Sequence, residues 1–157
     1  MNRIAKHELP KQRVAARMRR LGLAVRSVHS NLGHDLLVDD HLLVSLRVAF
    51  PSVRHHRVRV GGREYRYRYP SWHFNFHHHG EMKDRYTDFF VCVAVPPANA
   101  ARATEIFVIP WEGLRGKTFS LHAGRHRYAG QYACYRDGWA QLVEAVRREA
   151  THLRAVA

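Results

Sequence analysis

Two adjacent glycines near the middle of the chain constrain its fold more than any other pair of residues. Val58-Arg59-Val60 leads into Gly61-Gly62, and Arg63-Glu64-Tyr65-Arg66-Tyr67-Arg68-Tyr69 follows. Glycine reaches the positive φ angles that a two-residue turn of matching twist demands, so the pair predicts a tight β-hairpin. A turn of that length sets the register: Val60 opposite Arg63, Arg59 opposite Glu64, Val58 opposite Tyr65 and Arg57 opposite Arg66. One face then holds Val58, Val60, Tyr65 and Tyr67, and the other holds His55, Arg57, Arg59, Glu64, Arg66 and Arg68. Placing Arg57 against Arg66 destabilises a sheet unless an anion lies between them. In the alternative, Glu64 neutralises Arg59 and the other arginines are simply hydrated.

The hairpin's charge belongs to a wider excess. Across 157 residues, 26 Lys and Arg stand against 13 Asp and Glu, a formal charge of +13. Solubility alone requires far less, and the simplest partner is a polyanion, most commonly nucleic acid. An anionic membrane surface is the competing partner on composition. A chain of this length with 46% hydrophobic residues predicts a single domain over 1–157. Cys92 in "DFFVCVAV" and Cys134 in "YACYRDGW" read as buried apolar residues, and two isolated cysteines make no disulfide framework. No signal pattern opens the chain and no apolar stretch approaches the roughly 18 residues of a membrane span. The expectation is a soluble, cytoplasmic protein with no membrane partner.

Periodicity predicts a helix from Pro10 to Leu21, with Val14, Ala15, Met18 and Leu21 on one stripe and Lys11, Arg13, Arg17, Arg19 and Arg20 around the rest. Gly22 ends it. Short strands follow from Leu23 and over Asp35 to Val38, then a longer one from Leu42 to Phe50, with Asp39-Asp40 a tight turn between the last two. Beyond the hairpin, Trp72 to His77 reads as a separate half-buried strand. Asp88–Val95 and Glu105–Pro110 are nearly continuous apolar runs, as central strands covered on both faces are. Thr118 to Leu121 is a last short strand, and Trp139, Leu142, Val143 and Val146 have the spacing of a closing helix.

Within this succession, Asp35 opens one strand and Ser45-Leu46-Arg47 lies about ten residues later inside the next. The strings "DLLV" at Asp35–Val38, "VSLR" at Val44–Arg47, Phe74–His79, Asp88–Val95 and Phe107–Pro110 stand in the order seen in small bacterial PD-(D/E)XK nucleases. The chain resembles that superfamily over most of residues 10 to 145. The resemblance implies an α/β, restriction-endonuclease-like domain: a central mixed β-sheet flanked by helices, here carrying an Arg/Tyr-rich hairpin. It also implies a catalytic trio of Asp, Glu and Lys, which by position become Asp35, Ser45 and Arg47.

In that superfamily the two carboxylates hold Mg²⁺ or Mn²⁺, which polarises the scissile phosphate and activates a water. Ser45 is a weak neutral ligand, and Arg47 stays protonated and cannot act as a base. Asp35 alone is then the only metal ligand of the trio, and an Arg47–Asp35 ion pair would fill the space. The expectation is a nucleic-acid-binding protein, most simply DNA-binding, that needs no cofactor and no longer cleaves. The alternative is an active Mg²⁺- or Mn²⁺-dependent endonuclease whose second carboxylate comes from Asp39, Asp40, Glu64 or Glu8. Asp39 and Asp40 read more simply as turn residues, and Glu8, just before Pro10, as part of the approach to the helix. A further alternative is a protein-interaction subunit, a homodimer or the partner of an active nuclease.

The expected nucleic-acid-binding set is Arg57, Arg59, Arg66 and Arg68 on the hairpin, Asn75 and His77 beside the cleft, and Arg17 and Arg20 on the first helix. Arg115, Lys117, Arg125 and Arg127 extend it, and Tyr67, Tyr69 or Trp72 could stack on bases if exposed. His77 and His79 alternate onto one face of a strand while His78 points away, so the His77-His78-His79 run is a poor zinc site. Protonation of His77 would strengthen anion binding as pH falls.

Overall fold

The strand patterns sort into two sheets that share one core layer. The computed structural model describes residues 3–28, 35–76, 87–98, 103–122 and 129–156. Helix α1 spans Arg3–Arg20, followed by strands β1 Val25–Ser27, β2 Leu36–Val38, β3 Leu42–Ala49, β4 Ser52–Val60 and β5 Arg63–Asn75. Strands β6 Phe89–Ala94, β7 Glu105–Pro110 and β8 Thr118–His122 precede helix α2, Trp139–Val156. The first sheet has the order β1-β2-β3-β6-β7, with β3 and β6 parallel and every other pair antiparallel. The second is antiparallel, in the order β4-β5-β8.

Strand β6 is buried along its whole length, because its alternate side chains enter two different cores. Phe89, Val91 and Val93 meet Val14, Met18, Leu142 and Val146 of the helices; Phe90, Cys92 and Ala94 meet Trp72, Phe74, Phe119 and Leu121 of the second sheet. Burial on both faces is why the segment reads as unbroken apolar sequence. The molecule is therefore α/β with a mixed five-stranded sheet, and α1 and α2 both pack on the same face of it. The three-stranded sheet occupies the second face. Among the described residues, the connection between the parallel strands β3 and β6 carries the β4–β5 hairpin.

Three further expectations change. Helix α1 begins at Arg3 and carries Pro10 inside it. A proline removes one backbone donor, and the turns before it persist where the His7 ring packs edge-on against Phe50, 5.0 Å between centroids. Trp72 does not start a new strand, since β5 runs without a break from Arg63 to Asn75. Pro70 fits there because its missing N–H lies where β8 has not yet begun to pair; that ladder starts at Ser71. Finally, β7 is an edge strand, its outer side met by an isolated bridge from Phe107 to Arg136 and by the Asp137 N–H bond to Ile106 O. Asp39 and Asp40 form the β2–β3 turn at φ 47° and 61°, a region Asp tolerates.

Candidate functional site

The hairpin has the register that its turn residues dictate. Val60 pairs with Arg63, Arg59 with Glu64, Val58 with Tyr65 and Arg57 with Arg66, and the ladder continues to Ser52 and Ser71. Gly61 and Gly62 sit at φ 56° and 79°, as the primed turn requires. Nine pairs at about 3.4 Å per residue make a ribbon roughly 30 Å long. From Ser52 to Arg68 the side chains are exposed on both faces, Val58 alone being half-buried. The ribbon thus stands out from the body, with six arginines (54, 57, 59, 63, 66 and 68) and a single carboxylate, Glu64.

Glu64 leans along its own strand rather than across the ladder, holding Arg66 Nε at 2.7 Å. The cross-strand Glu64–Arg59 neutralisation is not the arrangement found. Among the described residues, Arg54, Arg57, Arg59, Arg63 and Arg68 make no ion pair. At the root, burial and then Arg54 lower the pKa of His122, which packs edge-on to Tyr69 at 5.6 Å. Tyr69 is half-buried, and Trp72 is 4% exposed with its Nε1 donating to Val95 O, which removes Trp72 from the stacking candidates. Tyr67 and Tyr65 remain open, 52% and 43% exposed.

The nuclease-like positions do not form one cluster. Asp35 Oδ2 accepts the Leu46 N–H at 2.7 Å and Oδ1 accepts from Lys11 Nζ at 2.6 Å. Its cleft, about 260 Å³, is lined from α1 by Glu8, Lys11, Gln12, Ala15 and Arg19, and from the sheet by residues that include Leu36 and Leu46. Ser45 and Arg47 are not in that lining. Ser45 is fully buried and accepts from Arg47 at 2.5 Å. The Arg47 guanidinium turns to the second sheet, donating to Asn75 O at 3.0 Å and lying 5.6 Å from the centre of the Phe90 ring. The expected Arg47–Asp35 ion pair is therefore corrected: Lys11, a residue not assigned to this site from the sequence, is the countercharge.

A divalent ion does not fit this donor set. Both oxygens of Asp35 already meet donors, one of them an ammonium, and the triplet supplies no carboxylate. Among the described residues, no group of three His, Cys, Asp or Glu side chains could hold a metal. Asp39 Oδ1 is taken by the Ala24 N–H and Asp40 by Arg26, so both serve the turn and β1. Glu8 is the exception among the alternative carboxylates, since it lies on α1 itself, in the wall of the cleft that holds Asp35. Its one-turn separation from Lys11 was legible only once the helix was known to run through Pro10.

Asn75 is exposed at the end of β5, and its carbonyl, not its amide, is the group that meets Arg47. Arg17 and Arg20 lie elsewhere, lining a cleft of about 460 Å³ with Asp137 and Trp139 in the helical layer. Lys117 and Arg115 are exposed beside β8. His77, His78, His79, Arg125 and Arg127 lie outside the described residues. No helix among those described is long and apolar enough to cross a membrane. No protein-family model matches the chain, and neither does any curated protein or solved structure.

Proposed function

We propose that this protein binds nucleic acid, most simply DNA, through the β4–β5 ribbon, and that its nuclease-like centre does not cleave. One observation carries the reading: a ribbon of about 30 Å, exposed on both faces from its tip to the His55–Arg68 pair, concentrates six arginines against one glutamate. Isolated cations need no partner, but Arg57 opposite Arg66 is a repulsion that a phosphate between them would relieve. The order of helix, strand meander and triplet-bearing strand supports a PD-(D/E)XK-like frame. The Lys11–Asp35 pair supports the loss of metal chemistry, because an ammonium sits where a divalent ion would be needed.

Binding of a labelled 20-mer duplex, measured by fluorescence anisotropy across a salt series, tests this. Log affinity is expected to fall linearly with log salt, with a slope near ~0.9 per phosphate neutralised, and to depend little on sequence. Salt-independent binding, or none at all, refutes it. Glu8 beside Asp35 favours a second reading, an endonuclease with a displaced carboxylate. Plasmid nicking in Mg²⁺ or Mn²⁺ that is lost on Glu8→Gln would establish that reading.

A further inference from the structure

The two faces of the ribbon are chemically different, and the difference bears on which form of nucleic acid it takes. On the face opposite to Arg57, Arg59, Arg66 and Arg68, the register places Val60 beside Arg63, Val58 beside Tyr65, His56 beside Tyr67 and Arg54 beside Tyr69. Val60, Tyr65 and Tyr67 are 61%, 43% and 52% exposed, the large apolar groups left open on this face among the described residues. A monomeric domain seldom leaves neighbouring large apolar groups open without a use for them. Arg63 at the tip and Arg54 at the root bracket this aromatic strip with positive charge.

A continuous duplex offers such a strip very little. Its phosphates and base edges are outside, but the faces of its bases are stacked on one another and out of reach. Unpaired bases do present their faces, and stacking them on aromatic rings contributes about 1–3 kcal/mol per base with little regard to sequence. The spacing is suitable too. Residues i and i+2 of a strand lie about 6.8 Å apart, twice the ~3.4 Å rise of stacked bases along a strand, so Tyr65 and Tyr67 are separated by the thickness that admits one base. Tyr69 is not a third platform, since its ring already packs against His122.

Building on the proposed nucleic-acid function, we infer that the Tyr65–Tyr67 face binds unpaired nucleotides, so that the ribbon takes single-stranded stretches in preference to continuous duplex. The rings take the bases, while Arg54 and Arg63 on the same face and the four arginines behind it hold the phosphates.

Anisotropy with three labelled probes on the full chain tests this: a 20-nucleotide single strand, the same sequence as a duplex, and a strand of equal length made of abasic sites. The single strand is expected to bind tightest and the abasic strand to bind at least tenfold more weakly. Tyr65→Ala with Tyr67→Ala should lower single-strand affinity tenfold or more, lower duplex affinity by a far smaller factor and leave the melting temperature near that of the parent, because both rings are exposed. Tyr65→Phe with Tyr67→Phe should retain the preference. Equal affinity for the single strand and the abasic strand, or an alanine pair that lowers duplex and single-strand binding alike, overturns the inference while the nucleic-acid reading stands. Failure to bind any of the three probes removes both.

Discussion

Lys11 Nζ lies 2.6 Å from Asp35 Oδ1, and this contact sets what the acidic residue at the head of β2 can do. The two side chains are 30% and 23% exposed, so the pair is neither fully screened nor fully desolvated. Lys11→Met removes the ammonium and leaves Asp35 with the Leu46 N–H. A loss of about 1–2 kcal/mol is expected in denaturant titration, larger than for a surface pair because the carboxylate is left partly desolvated. The variant should nick no plasmid in Mg²⁺ or Mn²⁺. Nicking by Lys11→Met would show that the lysine was masking a metal site made with Glu8.

Asp88, just before β6, provides a pH test remote from the hairpin. Burial raises its pKa above the ordinary 3.8, and the nearby Glu112 and Glu149 add to this while the Leu43 N–H opposes it. A carboxyl that holds its proton more tightly when folded binds more protons in the native state between 3.8 and its raised value. Stability therefore falls as pH rises through that window, and the penalty is fully present above it. Asp88→Asn keeps an oxygen for the Leu43 N–H, which now meets Asp88 Oδ2 at 2.7 Å. It should raise the melting temperature near neutral pH, with the gain shrinking to nothing as pH drops below the window. A gain that is constant with pH would mean the charge is not the cause.

The two cysteines should separate cleanly by reactivity. Cys92 is fully buried in β6 and its thiol is pushed far up by burial, whereas Cys134 is exposed, contrary to the expectation from its aromatic neighbours. The thiolate is the reactive form, so an aromatic disulfide reagent should titrate one thiol in the native protein and two in denaturant. Cys134→Ser should abolish the native reaction. Two fast native equivalents would contradict the burial of β6.

What could be read from sequence was what local geometry decides. Gly61-Gly62 determines a turn, a turn determines a register, and the pairing of Arg57 with Arg66 follows without any knowledge of the rest of the fold. The β6 run was equally legible, because a strand buried on both faces has no room for polar residues. Tertiary facts were not. Nothing local distinguishes a helix beginning at Pro10 from one passing through it, and so Glu8 was set outside the helix that carries it into the Asp35 cleft. Trp72 and Tyr67 have similar sequence surroundings, but one is covered by the central sheet and the other stands on a projecting ribbon. At the site, Ser45 and Arg47 lie on β3 and Asp35 immediately before β2. Which way each side chain turned depended on Lys11 from one layer and Asn75 from another, partners 24 and 28 residues away in the chain.

The Arg57–Arg66 pair sets stability against binding, and one substitution separates the two. Directly opposed like charges on a ladder are destabilising and opposed unlike charges stabilising, each by roughly 0.2–1 kcal/mol. Arg57→Glu converts the first case into the second without disturbing a buried contact, since residue 57 is exposed. Glu64 already engages Arg66 Nε, so the gain falls toward the lower end of that range. The variant should therefore melt slightly higher than the parent at low salt and lose the difference at high salt, where exposed charges are screened. Binding should change in the opposite direction: weaker affinity for every nucleic-acid probe, and a salt slope smaller by about 0.9 on duplex because one phosphate contact is gone. Paired measurements of melting and anisotropy decide the point. A variant that gains stability and keeps full affinity would show that the arginines face solvent alone.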